Sequence, residues 1–206
     1  MNVVIPRNTT IPVKKTKKYF AAEDDQSNIS FRVYEGERLK AIENNLLGLF
    51  NFSVPPAPRG HIPVEVCFSI DVDGILNVSA KEDTCGNRQD ITITNEKGRL
   101  STEEIERMIQ DAENFKEEDM KFKKNVKAMN ALDDYLYNMR KAMKDDRVSM
   151  LTSIERMKIN SAMIKGKKLI DEKQHQEAFV FVDFQRELES IFESALKKIN
   201  NGYSDE

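Results

Sequence analysis

Two alternating runs joined by Asp73-Gly74 constrain this chain more than any other stretch. Val64, Val66, Phe68, Ile70 and Val72 are apolar, and Glu65, Cys67, Ser69 and Asp71 fall between them. Strand side chains alternate between two faces, so a period of two describes a strand with one buried face. Asp-Gly tolerates the positive φ angles of a tight hairpin turn. Leu76, Val78 and Ala80 then resume the alternation against Ile75, Asn77 and Ser79. The pattern predicts a β-hairpin over 64–80 at the centre of a sheet. A hairpin alone is marginal in water, so neighbouring segments must complete its apolar face.

The neighbours are readable in order. Val3 to Ile5 is expected as a short strand limited by Pro6 and Pro12, with Arg7-Asn8-Thr9-Thr10 as a turn. Lys14, Lys15, Lys17 and Lys18 precede Tyr19-Phe20-Ala21-Ala22. Four lysines could hold phosphate. No base-stacking pattern interleaves them, which favours a charged strand that resists edge pairing. After the polar loop Glu23–Asn28, Ile29, Phe31 and Val33 alternate as a strand ending at Glu35-Gly36-Glu37. Leu46 to Phe52 reads as another, where Gly48 signals a bulge or a close backbone approach. Pro55–Gly60 is a rigid connector, and Arg88 to Thr94 is a last strand with Ile91 and Ile93 on one face.

Composition changes near residue 98. All six prolines lie before it, and a Gly-poor stretch rich in Lys, Glu, Met and Leu follows. This predicts an α+β chain in two segregated parts. Ser101-Thr102-Glu103-Glu104 fits a capping box. Ile105, Met108, Ile109, Ala112 and Phe115 then share one helical face. Phe122, Val126, Met129, Leu136 and Met143 continue through a long second helix, which Asp145-Asp146 is expected to interrupt. Met150–Ile170 and Glu177–Ile199 read as two further amphipathic helices, with Asn201-Gly202 as a stop. Together they predict a bundle that packs on itself.

Function classes are excluded as firmly as folds are indicated. Net charge is −3, with 12 basic and 13 acidic residues up to Gly98 and 20 and 22 beyond it. Neither half calls for nucleic acid or an anionic membrane. Mean hydropathy is −0.59, no apolar run approaches the roughly 20 residues of a membrane span, and no signal peptide is visible at Met1–Pro6. These favour the cytoplasm or nucleus, where Cys67 and Cys85 are expected as reduced thiols. No phosphate-cradling glycine loop is present. His61 and His175 are too few for a metal site, and Asp71 and Asp73 flank a turn, where their usual role is local hydrogen bonding. The methionines at helical spacing read as core filling. No catalytic or metal-ligating set is expected, so the chain does not read as an enzyme.

Six blocks carry a resemblance. Arg7–Pro12, Tyr34–Arg38, Asn44–Gly48, Pro55–Gly60, Asp73–Ala80 and Ile91–Asn95 occur in the order found in the substrate-binding domain of the seventy-kilodalton heat-shock chaperones. Asn95–Ser101 resembles the eukaryotic cytosolic branch. The helical half agrees in length and pattern with the family's lid. The resemblance implies an antiparallel β-sandwich over 1–98 that holds an extended apolar peptide, and an α-helical lid over 99–206. It also implies that the family's ATPase domain, the interdomain linker and the first two β segments have no counterpart here, nor has the acidic terminal motif. No cofactor is then expected in this chain, ATP and magnesium belonging to the ATPase domain.

Carried over by matching position, Tyr19 and Phe20 begin the segment lining the peptide channel. Ala22 falls at the arch over the peptide, and Gln26 on the loop after it. Ile29, Phe31 and Val64 correspond to apolar pocket wall, although their residue types alone would suit ordinary sandwich core. Asp24 and Arg59 match an ion pair at the channel rim. Asp133 matches a lid carboxylate reaching Arg59, and Tyr137 replaces a lid residue facing Asp24. The implied partners are unfolded or extended apolar polypeptides. A second reading is a protein–protein interaction module that self-associates through an exposed sheet edge or binds partners through the helical part. A third is a product that barely folds.

Overall fold

The computed structural model describes residues 1–82, 84, 86–93, 100–144, 148, 151–172 and 176–201, with side chains for all of these except 93 and 194–201. The chain divides into two compact units, Met1–Lys116 and Glu117–Glu206. The compositional boundary near residue 98 and the Asn95–Ser101 block fall mostly outside the described residues.

Six strands build the first unit: β1 Val13–Phe20, β2 Asn28–Glu35, β3 Asn45–Ser53, β4 Pro63–Ile70, β5 Leu76–Glu82 and β6 Arg88–Ile93. They form two antiparallel sheets, a four-stranded one ordered β1-β4-β5-β6 and the pair β2-β3. The hairpin β4–β5 is indeed central. Val64 and Val66 of β4, Val78 and Ala80 of β5, Val33, Phe50 and Phe52 of the other sheet, and Val54 just past the end of β3 close one buried core. Fully burying such a side chain stabilises by about 1.5–3 kcal/mol. The lysine-rich β1 lies at a sheet edge, where charge discourages further pairing.

Three local expectations need correction. The hairpin turn is wider than Asp73-Gly74 implies. Asp71 Oδ1 accepts hydrogen bonds from the amides of Asp73 and Ile75, both at 2.9 Å, and the Asp71 amide donates to the Ile75 carbonyl at 3.2 Å. The Asp71 side chain thus organises a longer loop, in which Gly74 takes φ +80°. Val72, expected on the buried face, therefore lies outside the ladder and is 72% exposed. Val3–Ile5 forms no strand. The Lys17 ammonium donates instead to Asn2 Oδ1 and to the Val3 carbonyl, each at 2.6 Å, taking an acceptor that a ladder would need.

Elsewhere the local chemistry behaves as read. Thr9 Oγ1 donates to the Pro6 carbonyl at 2.6 Å in the turn after Pro6. Opposite Val33 and Tyr34 the β3 register skips Leu47, a bulge beside Gly48. The loop between β2 and β3 is held by Asn44, which accepts from the Arg38 amide and donates to the Arg38 and Lys40 carbonyls at 2.8–2.9 Å. Cys67 is a free thiol, whereas Cys85 lies outside the described residues, as do His175, Asp145-Asp146 and Gly202.

Helix α1 spans Thr102–Asn114. Its capping box is present: the Glu104 amide donates to Ser101 Oγ at 3.1 Å, and the Ser101 amide to Glu104 Oε2 at 2.8 Å, a cap contributing about 1 kcal/mol. Phe115 then separates it from α2, and the Arg38 guanidinium sits 4.4 Å from the Phe115 ring centroid. The apolar face read along α1 is amphipathic, but no residue of the helix is fully buried.

In the second unit α2 Lys116–Ala142, α3 Ser153–Asp171 and α4 Ala178–Asn201 share a core. Leu132, Leu136 and Met139 supply it from α2, Ile159 and Ile170 from α3, and Phe181, Phe184, Leu188 and Phe192 from α4. Of the stripe read along this helix, Leu136 lies in the core and Met129 and Met143 pack against it, whereas Phe122 is 37% exposed. A second capping box, Thr152 with Glu155, starts α3. Asn125 of α2 positions the start of α4, accepting from the Ala178 amide at 2.9 Å and donating to the Gln176 carbonyl at 3.3 Å. No helix among the described residues is long and apolar enough to cross a membrane.

Candidate functional site

The apolar site residues come together where the two sheets meet. In the ladder Tyr19 is opposite Val64 and Phe20 opposite Pro63, while Ile29 faces Phe52 and Phe31 faces Phe50 across β2–β3. The Tyr19 ring meets Phe31 edge-on, with centroids 5.6 Å apart at 72°. Phe31 stacks on Phe50 at 5.2 Å and 26°. Such pairs contribute about 0.5–1.5 kcal/mol beyond their buried area. Tyr19, Ile29 and Phe31 are only half-buried, and burial pushes the Tyr19 phenol above its ordinary pKa, favouring the neutral ring.

The other two apolar positions stand apart from this group. Phe20, the next residue on the strand, projects to the opposite face of β1 and is 48% exposed. Val64 has no exposed surface. It supports Tyr19 from the adjacent strand and cannot itself touch a ligand in this arrangement. Phe50, absent from the residues singled out by sequence, joins the cluster because it is the register partner of Phe31. Alternation along Leu46–Phe52 places it on the buried face, but nothing in the alternation names its cross-strand neighbour.

A loop over 21–27 borders the cluster. The Gln26 side chain closes it, accepting from the Ala22 and Glu23 amides at 2.8 and 3.3 Å and donating to the Asn28 carbonyl at 2.7 Å. Backbone bonds tie this loop to the Pro55–Gly60 connector: the Asp25 amide donates to Ala57 at 2.9 Å and the Gly60 amide to Ala21 at 3.3 Å. Asp24 adds a third tie, its Oδ1 accepting from the Arg59 backbone amide at 2.9 Å. Asp133 and Tyr137 belong to the second unit, one turn apart on α2 and hence on one face of it. His61 is exposed. No three His, Cys, Asp or Glu side chains among the described residues gather as a metal site.

An open aromatic cluster beside a stapled loop, on a two-sheet scaffold, is the arrangement that the comparisons with known proteins bear on. The model of the Hsp70 protein family matches residues 1–201. The chain belongs to the Hsp70 family. It is 44% identical over 200 residues to the Heat shock 70 kDa protein of Neurospora crassa, covering 96% of this chain and 31% of that protein. Heat shock cognate 70 kDa protein 3 of Dictyostelium discoideum is 40% identical over 204 residues, covering 98% and 32%. The Heat shock 70 kDa protein of Penicillium citrinum is 41% identical over 192 residues, covering 93% and 38%. This Hsp70-family chain therefore spans about a third of the length of the curated relatives it matches.

Proposed function

We propose that this chain binds extended apolar segments of unfolded or partly folded polypeptides, as a chaperone module that needs no nucleotide to do so. The observation that supports this reading is the Tyr19–Phe31–Phe50 cluster, whose first two rings stay half-exposed while the residues beneath them are fully buried. An apolar side chain seated there adds its own transfer free energy, about 25 cal/mol per Å² of surface removed from water. The extended backbone on either side of it can use the amides and carbonyls of the neighbouring strand and loop. Ala22 and Gln26 shape that loop, and Ile29 extends the apolar wall. No catalytic step belongs to this function, and none is routed through ATP, magnesium or another metal.

The test is fluorescence anisotropy of a labelled Leu-rich heptapeptide titrated with the purified chain, with no nucleotide added. Saturable binding that an unlabelled copy competes away is expected. Absence of binding by a protein shown to be folded overturns the proposal.

The latch belongs to the same reading. The family resemblance assigns Asp24 and Arg59 on the sandwich, and Asp133 and Tyr137 on α2, to contacts that hold a lid over bound peptide. Exposed ion pairs each contribute only about 0–1 kcal/mol, so such a latch opens easily. Arg59→Ala is expected to speed peptide release up to about fivefold with little change in association, measured by stopped-flow displacement. Unaltered release kinetics removes the latch.

A further inference from the structure

One dipeptide of the central hairpin has a covalent chemistry of its own. The β4–β5 ladder ends at the pair Ile70 and Leu76, and Asp71-Val72-Asp73-Gly74-Ile75 spans the gap between them. Asp73 and Gly74 are both exposed. In an Asp-Gly pair the glycine nitrogen can approach the aspartate carboxyl carbon, because no β-carbon on the glycine obstructs it. A bond then forms between the Gly74 nitrogen and Asp73 Cγ, one Asp73 Cγ–O bond breaks, and the Gly74 amide proton leaves with that oxygen as water. The resulting succinimide ring takes water back at either carbonyl. Cleavage of the new bond at Cγ restores aspartate. Cleavage of the original bond to the Asp73 main-chain carbonyl leaves isoaspartate, with the chain running through the Asp73 side chain.

The hydrogen bonds of the turn oppose that attack. Three successive amides, those of Asp73, Gly74 and Ile75, all donate to Asp71. Its Oδ1 accepts from Asp73 and Ile75, both at 2.9 Å, and its carbonyl accepts from Gly74 at 3.2 Å. The Asp71 amide in turn donates to the Ile75 carbonyl at 3.2 Å. To attack, the Gly74 nitrogen must give up its own bond and turn its peptide plane toward Asp73 Cγ. The amides on either side of it are fixed to one carboxylate oxygen, and hydrogen bonds to an ionised acceptor are the stronger kind. The plane is therefore held from both ends.

We propose that Asp73 is a site of isoaspartate formation, and that Asp71 is the clamp that keeps its rate low while the hairpin is folded. Asp71 makes and breaks no covalent bond in the reaction, so it is a positioning residue. The conversion inserts one extra main-chain atom, the Asp73 Cβ, between the amides of Asp73 and Gly74. The Asp73 and Ile75 amides then lie further apart along the chain, and the single oxygen that joins them here loses its fit. The change falls where the central ladder closes, on the two strands that bring Val64, Val66, Val78 and Ala80 to the core. A covalent lesion at an exposed turn is thereby coupled to the packing beneath it.

The test is the rate at which isoaspartate accumulates at position 73 when the full chain is held at physiological temperature and pH. Chromatographic separation of the isomeric peptides, with electron-transfer fragmentation to place the linkage, reads it. Asp71→Ala removes the carboxylate from two amides and should speed accumulation on the order of tenfold. Asp71→Asn keeps an acceptor oxygen in place and should stay close to wild type. Asp73→Glu, which would need a six-membered ring, should give no signal. Far-UV circular dichroism checks that each variant is folded. The wild-type chain unfolded in guanidinium chloride should isomerise at least as fast as Asp71→Ala, a comparison that needs no variant to fold. A native chain that isomerises as fast as the unfolded one overturns the clamp, and so does a folded Asp71→Ala variant at the wild-type rate. Absence of isoaspartate at position 73 even in the unfolded chain overturns the site.

Discussion

Phe31→Asp should weaken binding of a Leu-rich heptapeptide by about thirtyfold, because it removes an apolar contact of about 2 kcal/mol. The position carries this effect because Phe31 touches both other rings of the cluster. A carboxylate there would also face Phe50 across the ladder, where a charge is poorly solvated. Its strand neighbours Ser30 and Arg32 are exposed, so the backbone of β2 retains its solvent-facing side. The second unit has its own core and should keep its helical circular dichroism. Anisotropy on a variant with native near-UV and far-UV spectra is the measurement. Unchanged affinity in such a variant would remove Phe31 from the site, and with it the proposed pocket. Phe31→Ala, which introduces no charge, should lose affinity in the same direction if the site is correct and the Asp variant fails to fold.

Gly166→Val should destabilise the helical unit by about 2–3 kcal/mol. Replacing a glycine inside a helix ordinarily helps, because Gly lies about 1 kcal/mol below Ala in propensity. Here the sign reverses. Gly166 is buried in α3, and a β-carbon on it would lie 2.9 Å from Phe184 Cε1 and 3.0 Å from Leu136 Cδ1. The two side chains belong to α4 and α2 and are nearly inaccessible, so a branched residue must push apart the three helices that meet there. Thermal or urea unfolding followed at 222 nm reads the loss. A variant as stable as wild type would mean that the contact yields freely and that close approach at Gly166 does not set the spacing of the bundle.

What could be read from the residues is mostly what is encoded within a few positions of itself. The β4–β5 hairpin was legible because Val64, Val66, Val78 and Ala80 repeat at two. The Ser101–Glu104 box was legible because both partners of each hydrogen bond lie three residues apart. The width of the hairpin turn was not, since it depends on the Asp71 carboxylate competing for two amides that Asp73-Gly74 alone does not reveal. Val3–Ile5 failed for the same reason at longer range: Lys17 reaches back across 14 residues to take the Val3 carbonyl. In α2 the apolar residues are dense enough to suggest more than one stripe. Which of them is buried is decided by α3 and α4, so Leu132 and Met139 could be ranked above Phe122 only with those helices in place.

The site shows the same division. The family resemblance marked Tyr19, Ile29 and Phe31, and the sheets bring all three together. It could not distinguish Val64, fully buried, from the half-exposed neighbours it supports, because both roles ask for an apolar side chain. Phe50 was missed because strand register is not written in either strand alone. Helix α1 has the opposite history: its periodicity is strong, yet nothing in it is fully buried, which shows that an amphipathic face records a preference and not a partner.

The Gln26 staple has a kinetic consequence. One neutral carboxamide oxygen serves the amides of both Ala22 and Glu23, so a single rotation of the Gln26 side chain frees them together. Their exchange with solvent deuterium should therefore report one opening event. Since a carboxamide does not titrate, that event proceeds without any change in protonation of its latch. Side-chain rotation of Gln26 thus sets the exchange of these two amides, while the ties of Asp24 and Asp25 to the connector hold the rest of the turn.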